Sequence, residues 1–154
     1  MKTIKLPVTF NASIEEDIRL YSSVVRYSFN RFQEGMKIKE IYHLCSEKFN
    51  LSSHLINSAN REAQFLFKRE GQKKVIFGDF KRRLKGLISN EEFKISKLRG
   101  FTSEGECPQK GNRHFKFDIK NNTIIYKRNK KEHISLSLPN LKKKVKEELL
   151  KVFI

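Results

Sequence analysis

The first residues of the chain alternate between apolar and polar side chains. Apolar residues stand at every second position from Ile4 to Phe10, which is the period of a half-buried strand. The pattern predicts a strand over Thr3–Phe10, with Pro7 at an edge or a bulge.

The hydrophobic period then changes to that of an α-helix. From Ser13 to Phe32 apolar residues recur at helical spacing, and Gly35 supplies a stop. Ser13 with Glu16 has the spacing of a capping box. Two more helices are predicted over residues 37–49 and 52–70, so that residues 11–70 form a helical lobe.

The middle of the chain is more mixed. Residues 73–78 predict a short strand, and residues 79–89 a basic turn or short helix. Ser89 and Glu92 form a second capping box that opens a helix to about Leu98. Residues 100–112 contain three glycines and a proline, which predicts a loop.

Strand patterns return after this loop. The sequence predicts strands over residues 115–119, 124–127 and 133–138, with a turn at residues 120–122, and a last helix after Pro139. A lone N-terminal strand is not stable by itself, so residues 1–10 are expected to complete the later sheet. The predicted fold is therefore α+β: a small antiparallel β-barrel or sheet, formed by residues 1–10 and 71–154 with a C-terminal helix, and a helical lobe of residues 11–70 inserted after the first strand.

Net charge adds a functional expectation. The 154 residues include 33 Lys and Arg against 17 Asp and Glu, a net charge of +16. Residues 71–131 carry 17 basic and 6 acidic residues, or +11 of that total. A concentrated excess of positive charge is typical of a surface that binds a polyanion, and nucleic acid is the expected partner. The alternative is a lysine-rich coding bias without functional meaning.

Four groups of residues could carry this binding. A basic cluster lies between Phe80 and Leu84, which we expect to anchor it to the body of the protein, and a polar cluster with sequence KGNR precedes the strand at 115. A basic hairpin tip follows Tyr126, and one helix face combines Arg26 with Asn30 four residues later, with Tyr27 as a weak stacking candidate. The cluster, turn and tip candidates are Lys81, Arg82, Arg83, Lys85, Lys110, Gly111, Asn112, Arg113, Lys127, Arg128, Lys130 and Lys131. Each group also has a plain structural interpretation, as a solvated helix face, a turn or a protected sheet edge.

Enzyme signatures are weak. The histidines have no metal-ligand spacing, no nucleophile motif or phosphate-binding loop occurs, and Asp118 is the only carboxylate within a predicted strand. Cys45 and Cys107 lie far apart and outside any ligand motif, which is typical of free thiols in a reducing compartment. No apolar run of about 18 residues and no signal peptide is present. We therefore expect a soluble, cytoplasmic protein without metal, cofactor or membrane contact.

The order of elements resembles a known family. The stretches MKTIKLPV, YSSVVRYSFNRF, INSANREAQ and above all GECPQKGNRHFKF are similar to the N-terminal half of the transposon-encoded TnpB proteins and of the compact Cas12-type RNA-guided nucleases. The resemblance implies a β-barrel wedge domain that holds guide RNA and a recognition lobe that contacts target DNA. It assigns nucleic-acid contacts to the KGNR turn and to Arg26, Asn30 and Arg31, and it suggests a prokaryotic, phage or mobile-element origin.

The resemblance stops short of the nuclease domain. In that family, cleavage belongs to a RuvC-like domain with three acidic residues and a zinc-binding cysteine cluster, and neither is recognisable in this sequence. The leading prediction is therefore a nucleic-acid-binding protein that is not itself an enzyme, either free-standing or completed by a separate RuvC-containing nuclease half. The alternatives are an anti-CRISPR-like inhibitor that mimics the RNA-binding half of such a nuclease, and a metal-dependent nuclease with an unrecognised site.

Overall fold

The chain forms two compact units. The structure is a computed structural model, and it describes residues 12–71, 73, 77–100, 112, 114–118, 120–129 and 131–138. Residues 15–102 make one unit, here the helical unit, and residues 1–14 with 103–154 make the other, here the sheet unit. The predicted α+β class is confirmed. The strand predicted over residues 3–10, the loop at 100–112 and the helix predicted after Pro139 lie outside the described residues, wholly or for the most part.

Three long helices form most of the helical unit, as the hydrophobic spacing predicts. They are α1 (Ala12–Gln33), α2 (Ile38–Lys48) and α3 (Ser53–Glu70). α1 begins one residue before Ser13, so Ser13 is not its N-cap as predicted. The predicted boundaries of α3 are confirmed, because the Ser52 hydroxyl accepts a hydrogen bond from the amide of Leu55 and Gly71 ends the helix at a φ of 61°.

The core of the helical unit is mostly apolar but contains a buried polar cluster. Each of the three helices contributes fully buried side chains, among them Val24, Val25, Phe29, Ile41, Leu55, Ile56 and Ala59. At its centre the Ser28 hydroxyl donates to Oδ1 of Asn60 at 2.6 Å, and Sγ of Cys45 lies 3.4 Å from Oγ of Ser28. All three polar side chains are buried. The cluster links α1, α2 and α3, and because hydrogen bonds are directional it fixes their rotation more closely than apolar contacts alone.

Two short helices follow. They are α4 (Phe80–Leu84) and α5 (Asn90–Ser96), and the predicted capping box of Ser89 and Glu92 at the start of α5 is confirmed. Of the strand predicted over residues 73–78, residues 74–76 lie outside the described part, and Phe77 and Gly78 form a bend. Phe77 packs edge-on against Phe29 with ring centroids 5.5 Å apart, which attaches the start of this segment to α1.

Gly78 makes the closest approach in this segment. It has a φ of +73°, and a Cβ at this position would lie 2.7 Å from Cγ of Lys97, 2.9 Å from Oγ of Ser96 and 3.1 Å from the Phe93 ring. Oγ of Ser96 also accepts a hydrogen bond from the amide of Asp79 at 3.0 Å. Only glycine therefore lets the chain before α4 lie directly against α5.

Polar contacts fix the chain after α5. The amide of Arg99 donates to the Ser22 hydroxyl at 2.8 Å, and its guanidinium forms an ion pair with Glu62. Glu62 also accepts a hydrogen bond from the Tyr21 hydroxyl at 2.9 Å. Residues 97–99 are thereby attached to both α1 and α3.

The sheet unit contains a three-stranded antiparallel sheet in the order β1-β2-β3. Its strands are β1 (Phe115–Asp118), β2 (Thr123–Lys127) and β3 (His133–Ser137), close to the predicted bounds. In the described part of the chain this sheet is open, so the predicted barrel is not supported. The physical reason is that three strands cannot curl far enough to close on themselves.

The register gives the sheet one apolar and one polar face. Paired residues lie on the same side of a sheet, so the register aligns Phe115 with Tyr126 and Ile134, and Phe117 with Ile124 and Leu136. Tyr126, Ile124 and Leu136 are buried. The other face is polar and is described below.

The close approach at Gly78 gives a stability prediction. Gly78→Ala and Gly71→Ala both place a Cβ on a residue with positive φ, but at Gly71 the added atom meets nothing within 4 Å. We expect Gly78→Ala to lower the free energy of unfolding by roughly 1–3 kcal/mol more than Gly71→Ala, because overpacking adds to the backbone strain. Urea unfolding of the two variants measures the difference, and equal losses would show that the approach to α5 is unimportant.

The buried thiol gives a second prediction. Burial raises the pKa of Cys45, although the hydrogen bond with Ser28 and the charge of Lys48 act in the opposite direction. In a Cys107→Ser variant we expect Cys45 to react with a disulfide reagent slowly in the native state and fast in denaturant. Unfolding should release a proton from the thiol above its ordinary pKa of about 8.5, so stability should fall as pH rises beyond that point.

A Cys45→Ala variant is the control for this pH dependence. It lacks the thiol, so its stability should decline less between about pH 8 and pH 9.5. Rapid labelling of native Cys45 would contradict the buried position.

Candidate nucleic-acid interface

The sheet presents a polar face opposite its apolar one. The register aligns Lys116 with Ile125 and Ser135, and Lys127 with His133. This face, the polar sheet face, consists of Lys116, Asp118, Thr123, Ile125, Lys127, His133, Ser135 and Ser137. Lys116 and Lys127 are diagonal neighbours, with side chains that start about 7–8 Å apart. Lysines and hydroxyls are groups that contact phosphate and sugar oxygens.

Asp118 and Glu132 are the acidic residues described in the sheet unit, and the carboxylate of each accepts hydrogen bonds within a turn. The Asp118 carboxylate accepts hydrogen bonds from the amide of Asn121 at 3.1 Å and from its Nδ2 at 2.8 Å. These bonds lower the pKa of Asp118, so it remains ionised, but its position is at the strand end beside the β1–β2 turn. Lys116 and Lys127 form no ion pair with a described residue, although the ionised Asp118 lies at one end of the same face.

The predicted basic hairpin tip is a closed turn between β2 and β3. Oδ1 of Asn129 accepts from the amides of Lys131 and Glu132, both at 2.8 Å, and its Nδ2 donates to Glu132 at 2.8 Å. The Arg128 guanidinium lies 3.9 Å from the Glu132 carboxylate. Arg128 is therefore partly engaged, whereas the side chain of Lys131 is exposed. Lys130 lies outside the described residues.

The KGNR turn is described only at Asn112. Its Oδ1 accepts hydrogen bonds from the amides of His114 at 2.9 Å and Phe115 at 3.1 Å. This side chain shapes the turn that starts β1, so its predicted role as a contact to a base edge is not supported through Oδ1. Lys110, Gly111 and Arg113 lie outside the described residues.

The residues of the basic cluster at α4 differ in their exposure and contacts. Lys81 and Lys85 are exposed, and Arg82 lies 3.5 Å from Asp79. Arg83 is turned inward, where it donates to the carbonyl oxygen of Ile88 at 3.3 Å and to Oδ1 of Asn90. Arg83 therefore holds the α4–α5 connection and is not available to a ligand in this conformation.

The prediction that Phe80 and Leu84 anchor this cluster to the body of the protein is wrong. Phe80 is 39% exposed and Leu84 is 70% exposed, whereas Ile88 is 8% exposed. Phe77 and Ile88 attach the segment to the helical unit instead. Sequence reasoning missed this because a five-residue helix has too few positions to show which side is buried.

Two of the three candidates on α1, Arg26 and Arg31, contact other groups of the protein. Arg26 is half-buried and donates to the carbonyl oxygen of Lys97 at 3.2 Å, and burial lowers its pKa. Arg31 forms an ion pair with Glu34 and lies over the Tyr27 ring at 5.1 Å. Asn30 is exposed and is the candidate on this helix that remains best placed to reach a ligand.

Tyr27 does not offer a free face for base stacking. Lys48 Nζ lies 4.6 Å from its ring centroid, and the Phe49 ring packs edge-on at 5.7 Å. With Arg31 also over the ring, the protein itself supplies the contacts that a base would need.

Lys116 is the contact candidate that sequence reasoning missed. The alternation around Phe115 and Phe117 already predicts that Lys116 points away from the apolar face. Only the register with β2 shows that it shares a surface with Lys127.

Among the described residues, no three His, Cys, Asp or Glu side chains come together as a metal site would require. In the same part of the chain, no helix has the length and apolar character needed to cross a bilayer.

The chain matches no protein-family model, no curated protein and no solved structure.

Proposed function

We propose that this protein binds nucleic acid without cleaving it, and that the polar sheet face is part of the binding surface. The observation that carries the proposal is the alignment of Lys116 and Lys127 on one face while the nearby acidic groups are hydrogen-bonded in turns. The net charge of +16 supports it, because long-range attraction to a polyanion increases with the charge of the protein.

The chemistry of this face favours contact with the backbone over reading of bases. Among its described residues the side chains are lysines, hydroxyls, a histidine, an aspartate and one isoleucine, with no Phe, Tyr or Trp on which a base could stack. Lysine and hydroxyl contacts to phosphate and sugar position a nucleic acid without selecting its sequence. Binding through this face should therefore depend on charge and shape.

Structured RNA is the first ligand to test. The resemblance to the N-terminal region of TnpB and Cas12-type proteins suggests a guide-like RNA, with a DNA target as a second ligand, and a wedge-like β domain as the part that holds the RNA. The exposed Lys131 at the hairpin tip extends the positive surface beyond the end of β2.

The proposal predicts that position matters as well as charge. Lys116→Ala with Lys127→Ala should weaken binding to a structured RNA roughly tenfold, because two exposed ionic contacts are lost. The slope of log affinity against log salt should become less steep by roughly 1.4–1.8, at about 0.7–0.9 for each phosphate contact. Fluorescence anisotropy over a salt series measures both quantities.

The matched control is Lys39→Ala with Lys68→Ala. These two lysines are exposed on α2 and α3, and their removal changes the net charge by the same amount. Equal loss of affinity in the two double variants would mean that total charge alone governs binding, and affinity that does not change with salt would contradict the electrostatic basis of the proposal.

Sequence independence is a separate expectation. An RNA of the same length and secondary structure but different sequence should compete with similar affinity, because the polar sheet face offers backbone contacts. A large preference for one sequence would show that base-reading residues lie elsewhere. Incubation with labelled RNA and DNA in magnesium or manganese tests the absence of cleavage, and cleavage that EDTA abolishes would overturn it.

A further inference from the structure

Most of the exposed large apolar side chains in the described structure belong to the α4–α5 segment. Phe80, Leu84, Leu87 and Ile95 are 39, 70, 63 and 62% exposed, and Phe65 on α3 is the fifth such residue among the described residues. Single exposed apolar residues are common on protein surfaces, whereas clustered ones mark interaction sites, and these four come from one stretch of 16 positions.

The segment is fixed in a conformation that keeps these side chains outward. Gly78 lies against α5, and Arg83 links α4 to Ile88 and Asn90. At the end of α4, Gly86 adopts a φ of +68°. Its amide donates to the carbonyl oxygen of Arg83, and the amide of Leu87 donates to the carbonyl oxygen of Arg82. This is the Schellman arrangement of a helix end. The buried contacts of the segment are thus made by other residues, and a local rotation cannot bury Leu84 or Leu87 without breaking them.

Positive charges accompany the apolar residues. Phe80 and Leu84 are one turn apart on the same side of α4, and Lys81 and Lys85 follow each of them directly. Lys81 and Lys85 form no ion pair with any described residue. The acidic residues of α5 are occupied instead, Glu91 by Lys94 at 2.8 Å and Glu92 by the capping box with Ser89.

We propose that the α4–α5 segment docks an acidic amphipathic helix of a partner protein. Such a helix inserts leucine-type side chains between Phe80, Leu84, Leu87 and Ile95, and its carboxylates pair with Lys81 and Lys85. Three of the four apolar side chains, Leu84, Leu87 and Ile95, are aliphatic and give a nucleic acid nothing on which to stack, and a second copy of this chain would bring like charges together. This surface belongs to the helical unit and the polar sheet face to the sheet unit, and neither proposal rests on an observation used for the other.

The test uses a synthetic probe and surface variants. The probe is an 18-residue helical peptide with leucine on one face and glutamate on the other, and its binding to the full chain is followed by NMR or fluorescence anisotropy. We expect saturable binding, with shifts confined to residues 77–99. The triple variant Leu84→Ser, Leu87→Ser, Ile95→Ser should bind the peptide at least tenfold more weakly. The double variant Lys81→Ala, Lys85→Ala should also lose affinity, and the size of that loss should depend on the salt concentration.

Phe65→Ser is the control, because Phe65 is 63% exposed but lies on α3. Substitutions of exposed residues change stability little, so circular dichroism should show all variants folded. Absence of peptide binding, or equal weakening by Phe65→Ser, would overturn the proposal. Tighter binding to phosphatidylserine vesicles than to the peptide, self-association of the native chain that the triple variant abolishes, or loss of RNA affinity in the triple variant would each identify a different occupant and also overturn it.

Discussion

The contacts of Arg99 control the geometry of the helical unit after α5. Its amide donates to Ser22 on α1, and its guanidinium pairs with Glu62 on α3, which also accepts from Tyr21. The Arg99 and Glu62 side chains are only partly buried, at 36% and 20% exposed, and the Tyr21 hydroxyl donates to the second oxygen of the Glu62 carboxylate. Because the chain is held at this point and at Phe77, α4 and α5 are confined between two fixed ends.

This confinement explains why the basic segment has an apolar exterior. The interior side of the segment is taken by Phe77, Gly78, Ile88 and the inward-turned Arg83. Phe80, Leu84 and Leu87 are left at the surface with the free lysines. The same stretch of sequence thus provides a structural arginine and a surface with both apolar and ionic character, whereas the sheet unit offers a polar surface with few apolar groups. The two surfaces suit different kinds of partner.

Several parts of the structure could be predicted from local signals. Ser52 and Gly71 mark the ends of α3, Ser89 and Glu92 begin α5, and the alternation of residues 115–138 predicts the three strands. These signals work because capping and alternation depend on neighbours within a few positions. The predicted barrel is not supported by the described strands, and local signals could not have decided the point because closure depends on strand number and long-range pairing. The exposure of Phe80 and Leu84 was not predictable either, since it depends on which residues of distant elements fill the core.

By itself, the sequence determined the α+β class, the approximate extents of the three long helices and of the three described strands, and the excess of positive charge in residues 71–131, since each follows from local pattern or composition. The tertiary structure decided which cations are free. Arg26, Arg83 and Asn112 have the residue types of nucleic-acid contacts, but folding directs each of them to backbone groups of the protein. Only the strand register brings Lys116 and Lys127 onto the same surface. A charged or amide side chain satisfies a buried backbone group as well as it satisfies a ligand, and only the three-dimensional positions of those groups determine which role it takes.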